Sequence, residues 1–149
     1  MGQSFCFGCS PDNPIGLHLE CFPQDDGTWA TYFTPARYHE SYNGIMHGGL
    51  AATVLDELIG NHLLKGLGRW AVTARLEVRF RKPIPIGARV KFVSRIVREK
   101  GSLFQVAAWA ELPDGRIAVE ARAEMMARET GLASTTSFSQ EFKQLPGLE

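Results

Sequence analysis

Apolar and polar positions follow two different rhythms along this chain, and the change of rhythm marks its elements. In Ala74–Phe80 the residues Ala74, Leu76, Val78 and Phe80 fall on one side and Arg75, Glu77 and Arg79 on the other, the period of two expected of a strand. The same period runs through Arg116–Arg128, where Ile117, Val119, Ala121, Ala123 and Met125 oppose Glu120, Arg122 and Glu124. Val90–Arg98 and Ser102–Leu112 are predicted strands as well, the first turned by Glu99-Lys100-Gly101 and the second closed by Pro113-Asp114-Gly115. Upstream, Leu17–Phe22 and Trp29–Thr34 are predicted to pair around Gln24-Asp25-Asp26-Gly27. Between these groups the period is helical. Gly48–Leu64 places Ala51, Val54, Leu55, Leu58, Ile59 and Leu63 on one arc, and Gly66 and Gly68 end it. Residues 1–16 read as a loop, and residues 129–149 as a polar tail.

Two strands, one long helix and four strands predict an α+β fold. A single helix cannot cover both faces of a sheet of five to six strands, so the sheet is expected to be antiparallel and curled around that helix. Its other face is left to solvent or to a partner.

Composition narrows the function. The chain has 149 residues, 16 Lys+Arg against 16 Asp+Glu, which suits one domain spanning 1–149 and offers no general excess of cations for nucleic acid. No apolar run reaches the roughly 20 residues of a membrane helix. Neither a polybasic membrane anchor nor a secretory leader is apparent. The expectation is a cytoplasmic, soluble protein with reduced cysteines.

The chemistry concentrates at Asn43-Gly44-Ile45-Met46-His47-Gly48-Gly49 and the helix that follows. Glycines at a helix start allow close approach to backbone N–H groups that lack intrahelical acceptors, and the helix dipole there favours negative charge. Such an end can polarise a carbonyl, although glycines before a helix equally make a tight turn. Asp56 lies at the edge of the apolar arc, beside Ile59 and Leu63, whereas Glu57 points outside it. Burial there should raise the Asp56 pKa, as suits a general base. An isolated aspartate on a helix is more often a hydrated boundary residue.

Taken together, these residues form a recognisable segment. HGGLAATVLDE resembles the active-site signature of hotdog-fold acyl-CoA thioesterases of the PaaI-like, phenylacetate-pathway type: His-Gly-Gly, six residues, then Asp on the central helix. CFGCSPDNPIGLHL and TARLEVRFRKPIPIG are similar to stretches of the same family. The resemblance implies a curved sheet around one helix. It also implies hydrolysis of acyl-CoA to free acid and coenzyme A without a cofactor, in a homodimer or dimer of dimers with the site at the subunit interface. It implies Asp56 as catalytic carboxylate, acting as base or nucleophile, and Gly48 as the N–H donor to the thioester carbonyl. His47 would shape the helix start, and Thr73 would orient water or substrate. Gly49 and Asn43 are carried as substrate contacts, with Ser41 standing where some relatives have an Asn. Thr73 is predicted on the face opposite Leu76, so it would need a twist at the strand end to enter the site. A non-catalytic acyl-CoA- or lipid-binding hotdog protein is the alternative.

Two further features have less specific meaning. Arg75, Arg79, Arg81, Lys82 and Arg89 form a basic cluster, from which Arg81 and Lys82 are the expected contacts for coenzyme A phosphates. Cys6-Phe7-Gly8-Cys9 has metal-knuckle spacing, with His18 and Cys21 as further ligand types. Only one knuckle is present and no thioredoxin-like context, so no metal is expected. His62 falls in the apolar arc and is expected to be a satisfied core or interface histidine. Acyl preference should depend on side chains such as Phe33, Tyr42, Met46 and Trp70.

Overall fold

The computed structural model describes residues 5–128; the tail from Glu129 lies outside them. Six strands form one antiparallel sheet: β1 (Phe22–Pro23), β2 (Trp29–Phe33), β3 (Trp70–Phe80), β4 (Val90–Lys100), β5 (Leu103–Glu111) and β6 (Ile117–Arg128). Their order across the sheet is β1-β2-β4-β5-β6-β3. One helix, α1 (Gly48–Asn61), follows β2 and runs into a π-helical turn, His62–Gly66.

Helix α1 packs on the sheet with the arc foreseen from its period. Val54, Leu55, Leu58, Ile59 and Leu63 are wholly buried, and Ala51 nearly so. Opposite them stand Phe92, Phe104, Val106 and Met125, together with a run of small residues, Ala108, Ala110, Ala118, Ala121 and Ala123. Burial alternates residue by residue along β5, so one face of the strand meets the helix. The small side chains on β5 and β6 leave room for a helix across the middle of the sheet. This is the hotdog architecture, a curved antiparallel sheet wrapped around a central helix.

Four predicted boundaries change. Strand β4 runs on through Glu99 and Lys100, which pair with Phe104 and Leu103 rather than turning. Leu17–Phe22 is not a strand except at its end, where Phe22 and Pro23 pair with Trp29 and Ala30. Leu17 and Leu19 are buried, but their N–H groups donate to the carbonyls of Phe7 and Gly8. His18 between them takes a left-handed conformation, φ 52°, which interrupts the extended path. The regular helix ends at Asn61, and the widened turn that follows keeps both His62 and Leu63 buried. Strand β3 begins at Trp70, four residues before the alternating pattern.

The early start of β3 hides a bulge. Thr73 pairs with Met125 and Arg75 with Glu124, so Ala74 is an extra residue opposite no partner. An inserted residue reverses the alternation on one side of itself. Thr73 therefore stands on the helix-facing side with Met125 and Leu76, not on the outer side with Arg75.

Candidate active site

The start of α1 is shaped by His47. Its backbone is extended and its ring caps the helix: Nδ1 accepts the Gly49 N–H at 2.9 Å. With Nδ1 as acceptor, the neutral ring carries its proton on Nε2. The Leu50 and Ala51 N–H groups both donate to the His47 carbonyl. Of the first four helical N–H groups, only that of Gly48 has no acceptor among the described residues. A side chain on either glycine would crowd its neighbour. A Cβ on Gly48 would lie 3.0 Å from the Phe80 ring, and one on Gly49 3.0 Å from His47 Nδ1. An unpaired N–H at the positive end of a helix, in a backbone without side chains, can stabilise a developing oxyanion.

Gly48 opens into a groove of about 300 Å³, also lined by Ser41, Met46, Phe80, Arg81 and Lys82. Arg81 is held by Glu120, Nε to Oε2 at 2.7 Å, and both are about half exposed. Lys82 is exposed. Both cations thus border the groove that contains Gly48. Asn43 does not join it. It sits exposed in the turn before Gly44, which has φ 82°. Phe33 belongs to the core and Met46 to the buried groove wall, while Tyr42 and Trp70 are exposed.

Farther along the helix, Asp56 is half-buried beside the sheet. The Thr73 hydroxyl donates to Asp56 Oδ1 at 2.6 Å; the bulge at Ala74 makes this contact available. Oδ2 has no partner among the described residues. Burial raises the Asp56 pKa, the Thr73 hydrogen bond opposes the rise, and the neighbouring Glu57 adds to it. A carboxylate so placed is desolvated, oriented through one oxygen and able to take a proton on the other. Eight residues separate Gly48 from Asp56, about 12 Å along the helix axis. The open N–H and the carboxylate of one chain therefore stand more than two helical turns apart.

His62 meets the expectation of a satisfied core residue. It is buried, Nδ1 lies 2.8 Å from Ser94 Oγ, and the ring stacks on Trp29. Burial holds its pKa below the usual histidine value. Sequence reading missed Phe80 as the residue that packs over Gly48. Only its place at the end of an alternating strand hinted at it, and that pattern says nothing about a contact with a distant glycine.

Comparison with known proteins shows the superfamily and the fold. The family model described as the thioesterase superfamily matches residues 43–119, from the turn before His47 to the early part of β6. The chain belongs to that superfamily. Solved structures share the fold at low identity. A thioesterase superfamily protein superposes with a TM-score of 0.73 at 22% identity, covering 78% of this chain and 60% of its own. The PaaI protein of the phenylacetic acid degradation operon of E. coli gives a TM-score of 0.69 at 13% identity, covering 75% and 80%. A hypothetical thioesterase of Streptococcus pneumoniae, solved with coenzyme A, gives 0.67 at 21%, covering 78% and 88%. The pneumococcal protein was also crystallised as an Asp-to-Ala and as a Thr-to-Ala variant. No helix among the described residues is long and apolar enough to cross a membrane.

Proposed function

We propose that this chain is an acyl-CoA thioesterase, a single hotdog domain acting as a homodimer or dimer of dimers in the cytoplasm. The thioester carbonyl binds the Gly48 N–H of one subunit, and Asp56 of the facing subunit draws a proton from water as it attacks the carbonyl carbon. The Thr73 hydroxyl holds Asp56 and the water in line. The tetrahedral intermediate collapses by breaking the C–S bond, and the proton held by Asp56 passes to the departing coenzyme A thiolate. Gly49 and the His47 cap keep the helix start open, and Arg81 and Lys82 contact coenzyme A phosphates. No metal takes part in these steps.

The Thr73–Asp56 pair carries this reading. A desolvated carboxylate with a raised pKa, bonded through one oxygen and open at the other, is arranged for proton transfer. Superfamily membership and the coenzyme A seen with the pneumococcal structure support the substrate class. The roughly 12 Å between Gly48 and Asp56 supports a site completed by a second subunit.

The test is turnover of an acyl-CoA panel by Asp56→Asn. Loss of a general base should lower kcat by about 10²–10⁴-fold with the fold and subunit assembly retained. A variant that hydrolyses at the wild-type rate would sink the assignment. Wild-type protein that binds acyl-CoA by calorimetry but never turns it over would favour the non-catalytic binding protein instead.

A further inference from the structure

Glu57 follows Asp56 by one residue and turns to a different neighbour. The N-terminal loop folds against this flank of α1, pinned by the Leu17 and Leu19 N–H bonds to Phe7 and Gly8. Gly8 is buried, and a Cβ on it would lie 2.5 Å from Glu57 Cδ, so the loop backbone presses directly on the carboxylate. The Cys6 thiol donates to Glu57 Oε1 at 3.4 Å. Asn61, one turn later, donates its Nδ2 to the same oxygen at 2.9 Å and fixes how the carboxylate faces the loop. The two thiol sulfurs of Cys6 and Cys9 and a Glu57 oxygen thereby come within 4.8 Å of one another, and none of the cysteines is in a disulfide.

We propose that Cys6, Cys9 and Glu57 form a binding site for a thiophilic divalent cation, zinc by ligand type, which fastens the N-terminal loop to α1. Two thiolates and a carboxylate are a donor set suited to zinc. In a tetrahedral site with Zn–S near 2.3 Å, neighbouring ligand atoms are about 3.5–3.8 Å apart, a separation that side-chain rotation can reach from the present spacing. Asn61 supplies the outer-shell hydrogen bond that orients a ligating carboxylate. On binding, the S–H bonds of Cys6 and Cys9 break, two protons pass to solvent and two metal–sulfur bonds form.

The sequence hid this site because the knuckle's third ligand comes from mid-helix. The residues nearer in sequence do not join the cluster. His18 Nε2 lies 2.6 Å from the Asn13 carbonyl oxygen, and Cys21 stands outside the group. A disulfide between Cys6 and Cys9 would account for neither the carboxylate aimed at them nor its Asn61 brace.

The full chain, purified with reductant and stripped by chelator, is titrated with zinc against a chromophoric chelator and separately loaded with Co²⁺. One zinc per chain is expected, with a sulfur-to-cobalt charge-transfer band in the Co²⁺ protein. Cys9→Ser and Glu57→Gln should each weaken zinc binding by more than the roughly 10–100-fold cost of an outer-shell loss, with unchanged circular dichroism. Reduced wild-type protein that takes up no stoichiometric zinc overturns the proposal, as does zinc affinity unchanged in Cys9→Ser. Should either variant fail to fold, the wild-type Co²⁺ spectrum decides. Without a sulfur band the site is wrong.

Discussion

Asp56 and Glu57 are adjacent carboxylates on one helix, yet they serve opposite flanks of the molecule. Asp56 looks across to the edge strand β3, where it accepts one hydrogen bond, from Thr73, and its pKa is raised by burial. Glu57 looks toward the N-terminal loop and accepts from Cys6 and from Asn61 through a single oxygen. One carboxylate is desolvated and under-coordinated; the other is braced. A step of about 100° around a helix is enough to separate a desolvated carboxylate facing the sheet from one that holds a loop in place.

The contrast can be broken first at the level of subunits. If Asp56 acts on a carbonyl held by the partner's Gly48, then Asp56→Asn and Gly48→Ala chains, each nearly inactive alone, should recover activity when co-assembled. Random pairing makes half the dimers mixed, and each mixed dimer has one intact site of two, so about a quarter of wild-type turnover is expected. Continued inactivity in demonstrably mixed dimers would place both groups in the same subunit's site.

A smaller effect should appear at Thr73. Its hydrogen bond favours the ionised form of Asp56, so Thr73→Ala raises the pKa of the base further. In the proposed mechanism turnover requires ionised Asp56, and the acid limb of the pH–rate profile should therefore move to higher pH. With the orientation also lost, kcat should fall by about tenfold near neutrality. A profile of unchanged shape, whatever its height, would remove Thr73 from control of the base.

The smallest effects are on stability, and they should have opposite signs. Folding raises the Asp56 pKa, so its contribution is fully present below the unfolded value of about 3.9 and lost as pH rises through the folded value. Asp56→Asn mimics the protonated form. It should raise Tm by about 1–3 °C at neutral pH and give no gain near pH 3. Glu57→Ala should lower Tm of the metal-free protein by several degrees, because the Cys6 thiol loses this acceptor and Asn61, which keeps the Glu57 carbonyl, loses one of two, at a cost of about 1–2 kcal/mol. Thermal melts across pH measure both. Equal signs would mean that the two carboxylates are not differently strained.

Much of the fold was legible because burial imposes periodicity on local sequence. The arc of α1 from Ala51 to Leu63 and the alternation along β5 and β6 follow directly from which face meets the core. Leu17–Cys21 misled for the same reason. Leu17 and Leu19 are buried at a spacing of two, but the loop's carbonyls, not a strand, receive their N–H groups. The helix start and Asp56 were legible as candidate chemistry. Phe80 over Gly48 and the groove that joins Gly48 to Arg81 and Lys82 were not, because both arise from contacts between distant segments.

The sequence by itself determined the helix, the strand alternation and the identity of the groups at the helix start, since each is set by residues a few positions apart. Tertiary structure alone decided where Thr73 and Glu57 turn. A regular strand would send Thr73 to the outer face, and only pairing of β3 with β6 around an unmatched Ala74 brings it to Asp56. Glu57 reads from its helical position as a solvated residue, and only the fold of the N-terminal loop covers it with Cys6 and Cys9. Period encodes which side is buried; it carries no information on an inserted residue or on what a distant loop lays against a face.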